Sequence, residues 1–232
     1  MLSTFGDIQN DVLVKLGTST SIAYYTETIL NNWINQAYLY TAGYKKWPFT
    51  ERRDNTTSFS TEENSYPSDF RTDSIRLLQV GGERLQKLNF EDYQIYREEN
   101  PTGTEKVYSD FGRTFFINPY AGVTGTITAW GQYAVSDIDT TDNTATTVFS
   151  AGEEDGNSAI VEEVLSYAKL RESKPQEAKF HHERCLEILS NIWERHQSEQ
   201  FAYHTKDRGM FERIDVLRGG SFDDLISENQ FN

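Results

Sequence analysis

Hydrophobic and polar residues alternate with helical spacing at the start of the chain. Thr4 and Asp7 have the spacing of a capping box, and Gly17 stands where a left-handed C-cap closes a helix. The apolar residues that recur every three or four positions are Phe5, Ile8, Val12 and Leu16. This pattern predicts a first helix that begins at Ser3 or Thr4 and ends at Gly17.

A second amphipathic stretch begins near Thr26 and is rich in aromatic residues. Its inward face is predicted to hold Leu30, Trp33, Ile34, Ala37 and Thr41. Pro48 cannot continue a helix and drives the preceding residue into an extended conformation, so this helix must end before Trp47. We interpret Trp47, Pro48 and Phe49 as a structural hinge. Its aromatic side chains are predicted to pack at the seam, where a helical layer meets the sheet that follows.

Residues 51–136 have the pattern of an antiparallel β module. Short runs rich in β-forming residues alternate with turn signals, and we predict hairpin turns at VGGER, DFGR and NPYAG. The segment NFEDYQIYREENPTG interrupts these runs and is predicted to be a partly helical crossing. Five or six short strands of this kind are typical of a small sandwich or barrel.

The polar segment 137–157 lacks apolar periodicity and is predicted to be a loop leading to C-terminal helices at 158–199. The first of these helices is predicted from about Ser158. Ser173 and Gln176 have capping-box spacing, which predicts the start of a second helix that runs to about residue 198. The inward residues are predicted to be Ile160, Val164, Leu165 and Ala168 on the first helix, and Ala178, Cys185, Leu189, Ile192 and His196 on the second.

Residues 200–232 are predicted to form an extended docking tail, because two apolar clusters, separated by Gly219 and Gly220, follow a completed helix. The residues predicted to dock onto another chain are Phe201, Tyr203, Phe211, Ile214, Val216, Leu217, Phe222, Leu225 and Ile226. Together with N-terminal helices at 1–50, these segments predict an α+β fold. In this fold a helical bundle made of N- and C-terminal helices carries an inserted antiparallel β-sandwich or barrel.

The formal charge of the 232-residue chain is -14, and the acidic excess is divided equally between residues 1–150 and 151–232. Tight nucleic-acid binding requires clustered Lys and Arg, so any contact with DNA is expected to be passive. Aromatic residues make up 13% of the chain. Such a content suits either extensive protein interfaces or a tyrosine-rich β core.

Cys185 is the one cysteine of the sequence, so no intrachain disulfide is possible and a reducing compartment is expected. The first residues lack a basic segment followed by a long apolar run, so we expect no signal peptide. We also expect no membrane association, because no apolar stretch has the length of a membrane span.

The catalytic motifs of hydrolases, zinc proteases and nucleotide-binding enzymes are missing from the sequence. His181 and Cys185 lie one helical turn apart and could supply two metal ligands, but a zinc site requires about four. The run DIDTTD resembles the opening of a calcium loop, but Asp142 and Val148 occupy its glycine and glutamate positions. We therefore expect no enzymatic activity, metal or cofactor.

The order of segments resembles the head-to-tail adaptor (connector or gatekeeper-type) proteins of tailed bacteriophages, particularly short-tailed ones. TFGDIQNDVLVKLG and ETILNNWINQAYLYTAGYKKWPF are similar to the first two helices of that family. SYPSDFRTDSIRLL is similar to its strand entry, without the family's leucine before Pro67. FFINPYAGVTGTITAWGQY is similar to its β-hairpin, and 158–198 to its paired C-terminal helices.

This resemblance implies a dodecameric ring that binds under the portal protein in the neck of the virion, after assembly in the host cytoplasm. The ring would continue the DNA channel and offer a platform to a tail or nozzle protein, and the C-terminal segment would dock onto the portal or a neighbouring subunit. Two alternatives remain at this stage. One is another tail or baseplate structural protein, and the other is a carbohydrate-binding β module that uses Tyr120, Trp130 or Tyr133.

Overall fold

The computed structural model describes residues 2–18, 25–59 and 61–217, with side chains described as far as residue 197. Its helices are α1 (Phe5–Leu16), α2 (Glu27–Gly43), α3 (Phe90–Glu99), α4 (Asp155–Arg171) and α5 (Pro175–Leu217), and a short 3-10 turn spans Pro48–Thr50. Its strands are β1 (Glu51–Asp54), β2 (Glu63–Ser65), β3 (Leu77–Val80), β4 (Glu83–Arg84), β5 (Gln86–Lys87), β6 (Val107–Phe111), β7 (Thr114–Ile117) and β8 (Ile127–Gln132).

The predicted α+β class is confirmed. Helices from both ends of the chain, α1, α2, α4 and α5, share one hydrophobic core, which we call the helical layer. The strands form two four-stranded sheets around a second core, which we call the β unit. The strand orders are β1-β8-β3-β4 and β2-β7-β6-β5, and the chain passes from one sheet to the other through Leu85 between β4 and β5.

Helix α4 is the centre of the helical layer. It packs against α1, α2 and α5, and it is buried over most of its circumference. A helix enclosed in this way is apolar on several faces, which explains the high content of Ala, Ile, Val and Leu between residues 159 and 168. The predicted inward residues of α4 and the apolar inward residues of α5 are confirmed as buried, while His196 is partly buried.

The ends of α1 are as predicted. Asp7 N–H donates to the Thr4 hydroxyl oxygen at 3.2 Å, and Thr4 N–H donates to Asp7 Oδ2 at 3.0 Å, which completes the capping box. Gly17 closes the helix with φ of 63°. Hairpins at Gly81-Gly82 and Gly112-Arg113 are also confirmed, since β3 pairs with β4 and β6 with β7.

The hairpin predicted at NPYAG is wrong. Strand β7, before this segment, pairs with β2 and β6, whereas β8, after it, pairs with β1 and β3. Residues 118–126 therefore cross between the two sheets. Turn residues show where the chain reverses, but partner choice depends on which apolar faces meet in the core.

The capping box predicted at Ser173 and Gln176 is also wrong. Ser173 has φ of 60° and donates its N–H to Leu170, while Lys174 N–H reaches back to Lys169. This pair of bonds is a Schellman closure of α4, so Ser173 ends one helix rather than starting the next. Helix α5 begins at Pro175.

Three further differences concern boundaries and pairing. Strands β1 and β2 have the sequences ERRD and ENS, so no hydrophobic pattern announces them. Strands β5 and β6 pair in parallel within an otherwise antiparallel arrangement. Helix α4 begins at Asp155, before the predicted start near Ser158, and the backbone of α5 is helical as far as Leu217, past the predicted end near 198.

Candidate functional site

The Trp47 side chain is fully buried where the helical layer meets the β unit. Its ring stacks on Phe49 with centroids 5.6 Å apart, and it meets Phe149 and Trp193 edge to face at 5.9 Å each. Phe149 belongs to the loop before α4 and Trp193 to α5. We call these four aromatic residues the junction, because they join segments that are distant in sequence.

Hydrogen bonds attach the junction to both parts of the molecule. The Trp47 indole N–H donates to the Thr41 carbonyl of α2 at 3.2 Å. The Trp47 carbonyl accepts bonds from the Gln132 side chain, at 3.1 Å, and from the Thr50 hydroxyl, at 2.8 Å. Gln132 is the last residue of β8, so a single residue ties the end of a helix to a central strand. The predicted hinge residues therefore lie at the seam, with Pro48 opening the 3-10 turn.

The loop before α4 is polar, as predicted, but its apolar residues belong to the helical core. Phe149 is fully buried and Ile138 is 7% exposed. The loop also pairs with the start of the chain, since Phe5 N–H donates to the Ala145 carbonyl at 2.8 Å and the Ser150 hydroxyl donates to the Ser3 carbonyl at 2.6 Å. The loop is thus a packed part of the helical layer.

Two consecutive glutamates of α4 face two consecutive histidines of α5. Glu162 Oε2 lies 2.7 Å from His181 Nδ1, and Glu163 Oε2 lies 2.8 Å from His182 Nδ1. Both glutamate side chains are at least nine-tenths buried. Lys15 of α1 adds a bond of 3.2 Å to Glu162 Oε1. We call these five residues the interhelical polar cluster.

The partners of Glu162 decide its charge state. Burial by itself raises the pKa of this carboxyl, but hydrogen bonds from His181 and Lys15, together with their charges, lower the pKa below its ordinary value. Glu162 is therefore ionised near neutral pH, and its bonds to His181 and Lys15 are charge-assisted. The doublets EE and HH are visible in the sequence, but only the packing of α4 on α5 shows that they pair.

The cluster offers little for catalysis. Cys185 is fully buried, and burial raises the pKa of its thiol, with the neighbouring Glu163 carboxylate adding to the rise. A thiol of raised pKa remains protonated near neutral pH and is a poor nucleophile and metal ligand. His181, which was considered with Cys185 as a possible metal ligand, forms a hydrogen bond with Glu162. Within the described ranges no three His, Cys, Asp or Glu side chains converge as a metal site.

Each of the aromatic residues considered for sugar binding lies under an arginine side chain. Arg97 lies over Tyr120 at 5.4 Å, Arg53 over Trp130 at 5.6 Å and Arg52 over Tyr133 at 3.7 Å. Each ring thus presents one face to a guanidinium of its own chain. A sugar that stacks on a ring needs a face that is not already covered.

The predicted docking residues fall in two groups. Phe201, Tyr203, Phe211, Ile214, Val216 and Leu217 lie in the part of α5 whose backbone, but not side chains, the structure describes. Phe222, Leu225 and Ile226 lie outside the described residues. Among the helices in the described part of the chain, none combines the length and apolar character needed to cross a membrane.

No protein-family model matches the chain, and no curated protein matches it significantly. The class that the molecule defines is therefore an α+β protein with a four-helix layer, a two-sheet β unit and a buried aromatic junction between them.

Proposed function

We propose that this chain is a virion structural protein. It would be a subunit of the head-to-tail adaptor ring that binds under the portal of a tailed bacteriophage, of the short-tailed kind. In this role it continues the DNA channel and gives the tail its attachment platform. It acts by assembly rather than by catalysis. The order of segments that resembles this family is the starting point, and three physical features support the proposal.

The length of α5 carries the most weight. α5 has 43 residues, whereas α4, against which it packs, has 17. At 1.5 Å per residue these lengths are roughly 65 Å and 26 Å, so α4 covers well under half of α5. A helix that outruns its intramolecular partner by this much is suited to packing against another chain.

The junction supports a mechanical role. Trp47 fixes the position of the helical layer relative to the β unit. Its ring packs against Trp193, its indole N–H donates to the Thr41 carbonyl of α2, and its own carbonyl accepts a hydrogen bond from Gln132 of β8. A subunit that holds a portal on one side and a tail on the other must transmit force between the two without bending. A buried aromatic cluster meets that requirement better than a flexible linker.

Charge is the third feature. A net charge of -14 repels the DNA phosphates that pass through the channel, so DNA slides past rather than binding to the wall. The same charge argues against a protein that holds DNA tightly. It is compatible with the expected passive contact.

The test is co-expression with a portal protein from the same genome, followed by size-exclusion chromatography with light scattering. The proposal predicts a complex whose mass corresponds to a ring of this chain on the portal. A chain that remains monomeric and never associates with the portal would contradict it. Binding of the isolated monomer on a glycan array would favour the carbohydrate-binding alternative instead.

A second experiment locates the contact. Deleting residues 200–232 is expected to leave a folded helical layer, because the fully buried α5 residues Cys185, Leu189 and Ile192 all precede the cut. The deletion is expected to abolish portal association. Circular dichroism checks the fold, and unchanged affinity of the truncated chain for the portal would show that the docking residues lie elsewhere.

A further inference from the structure

Helix α3 packs on the outer face of the sheet that contains β6 and β7, and few of its residues are buried there. Tyr93 is the one buried residue among the ten of α3, whereas eleven of the seventeen residues of α4 are buried. Ile95, the aliphatic residue of α3, is 52% exposed. A helix this short is marginal in water by itself, so α3 depends on a small number of contacts for its position.

Both flanks of α3 are fixed to the sheet. On the N-terminal side, Leu88 N–H donates to the Tyr108 carbonyl of β6 at 2.8 Å. On the C-terminal side, the buried Asn118 side chain donates to the Gly103 carbonyl, also at 2.8 Å. The segment between these two anchored points, residues 89–102, contains α3, and we call it the strap.

One carboxylate holds the middle of the strap. The Tyr93 hydroxyl donates to Glu62 Oε1 at 2.8 Å, and Arg97 Nε donates to the same oxygen at 3.1 Å. Arg97 also donates to Asn118 Oδ1 at 3.3 Å and lies over the Tyr120 ring. Burial raises the pKa of the Tyr93 phenol and the bond to Glu62 raises it further, so the hydroxyl keeps its proton and remains the donor.

The sheet face under the strap carries a hydroxyl without a partner. Ser109 of β6 is directly opposite Phe116 of β7, so both side chains project from the same face. The Phe116 ring lies 5.1 Å from the Phe90 ring and 6.4 Å from the Tyr93 ring of α3. Ser109 is fully buried, and within the described ranges its hydroxyl has no hydrogen-bond partner. This unsatisfied group is unfavourable while the strap covers it, and water would satisfy it if the strap moved away.

We propose that the strap is a lid that opens as a unit while both sheets of the β unit stay folded, with Glu62 as the contact that holds it closed. Opening breaks the bonds that Tyr93 and Arg97 donate to Glu62, and it exposes Ser109 to water. Segments with few buried apolar contacts are those that open at a lower free energy than global unfolding. The open state uncovers the outer face of β6 and β7, including Phe116.

This inference concerns the β unit alone, and it would stand if the adaptor proposal failed. Native-state hydrogen exchange of the full-length protein, read by mass spectrometry of peptic peptides, tests it. We expect amides of α3 to be protected about tenfold less, or weaker still, than amides of β8. Equal protection of the two elements would mean that α3 opens only when the whole β unit unfolds, and it would overturn the proposal.

A matched pair of glutamates tests the contact that holds the strap. Glu62→Ala is expected to lower the protection of α3 amides about tenfold, because the closed state then leaves the Tyr93 hydroxyl buried without its acceptor, whereas the open state hydrates it. Glu63→Ala changes the neighbouring glutamate, which is exposed on β2, and is expected to change the protection less than about twofold. Equal effects of the two substitutions would show that Glu62 does not hold the strap.

A substitution in the sheet core tests whether the sheets stay folded during opening. Ile127 of β8 is 1% exposed and belongs to the core between the sheets. Ile127→Val is expected to lower the protection of β8 amides several-fold, since it destabilises the folded core, and to leave α3 protection unchanged. If α3 and β8 lost protection by the same factor, the strap would open only with the sheets, against the proposal.

Thiol labelling tests whether opening uncovers the sheet face. The thiol introduced by Ser109→Cys lies under the strap, and the one introduced by Ala129→Cys lies in the core of the β unit, which the open state keeps covered. We expect iodoacetamide to label the first about tenfold faster than the second. Native Cys185, fully buried in the helical layer, is the internal reference in both proteins. Equal labelling rates of the two introduced thiols would overturn the proposal.

Discussion

Glu162 on α4 and His181 on α5 form a side-chain contact of 2.7 Å in the middle of the helical layer. The contact is doubled one residue further along each helix by Glu163 and His182. Two adjacent acids on a mostly buried helix would each be costly without partners, since burying an unpaired charge is unfavourable. His181 and His182, together with Lys15, supply these partners and so allow the two glutamates of α4 to be buried against α1 and α5.

His181→Ala is expected to lower the free energy of unfolding by about 1–3 kcal/mol, because it leaves the Glu162 carboxylate buried with Lys15 as its main remaining partner. Urea denaturation followed by circular dichroism measures the loss. Lys179→Ala is the control, since its ion pair with Glu183 is exposed and is worth little. Equal stability of His181→Ala and wild type would contradict a stabilising role for the contact.

Glu172 predicts a pH dependence of stability. Hydrogen bonds from Lys174 and Tyr25, assisted by Lys169, lower the pKa of this carboxyl from 4.5 to about 2. A group whose pKa is lower in the folded state contributes stability above its unfolded pKa and loses it as the pH falls. We therefore expect wild type to exceed Glu172→Gln in stability above pH 4.5, with the difference shrinking as the pH falls toward 2 and disappearing only below that pH.

Urea unfolding of both proteins across this pH window tests the prediction. Glu177→Gln serves as the comparison, because its exposed carboxylate lies 3.4 Å from the same Lys169 without the other bonds. A difference between wild type and Glu172→Gln that does not vary with pH would show that the Glu172 charge is not the cause.

Trp47→Ala is expected to destabilise the protein by about 3–5 kcal/mol, the usual cost of truncating a fully buried aromatic side chain. It also leaves the Thr41 carbonyl without the indole donor. Val14→Ala is the control, because Val14 is 76% exposed and such substitutions usually change stability by less than about 0.5 kcal/mol. Chemical denaturation compares the two, and similar losses would contradict a special role of the junction.

Gly81→Ala and Gly82→Ala form a matched pair in the β3–β4 turn. Both glycines have positive φ, 58° and 88°, so alanine costs about 1–3 kcal/mol of backbone strain at either position. At Gly81 an added Cβ would also lie 2.1 Å from the Thr124 carbonyl oxygen, whereas at Gly82 it meets open space. We expect Gly81→Ala to be clearly more destabilising in thermal unfolding. The reverse order would contradict the close approach of the 118–126 crossing to this turn.

Local chemistry made several elements predictable from the sequence. The α1 capping box depends on residues three apart, and the stop before Trp47 depends on the ring of Pro48. The Gly81-Gly82 turn depends on backbone freedom at two adjacent positions. The burial of α4 and of the apolar face of α5 follows from apolar spacing alone.

Features that depend on contacts between residues distant in sequence were predicted wrongly or were not predicted. The NPYAG hairpin was wrong because the sheet in which a strand pairs is decided by the core, not by the turn. Strands β1 and β2 have polar sequences, and they form because their backbones pair with β8 and β7, respectively. Ser173 and Gln176 have the spacing of an N-terminal capping box, but Ser173 adopts a left-handed conformation and ends α4 instead of starting α5.

The sequence by itself determined the α+β class, the placement of Trp47 between the helical layer and the β unit, and the acidic balance of the chain. Only the tertiary structure decided that the glutamate doublet of α4 pairs with the histidine doublet of α5, and that the Gln132 side chain donates a hydrogen bond to the Trp47 carbonyl. It also decided that four cationic side chains line one cavity of the β unit. The first group follows from interactions within a few residues of the chain. The second requires contacts between residues separated by many positions, and those contacts form only when the two cores pack.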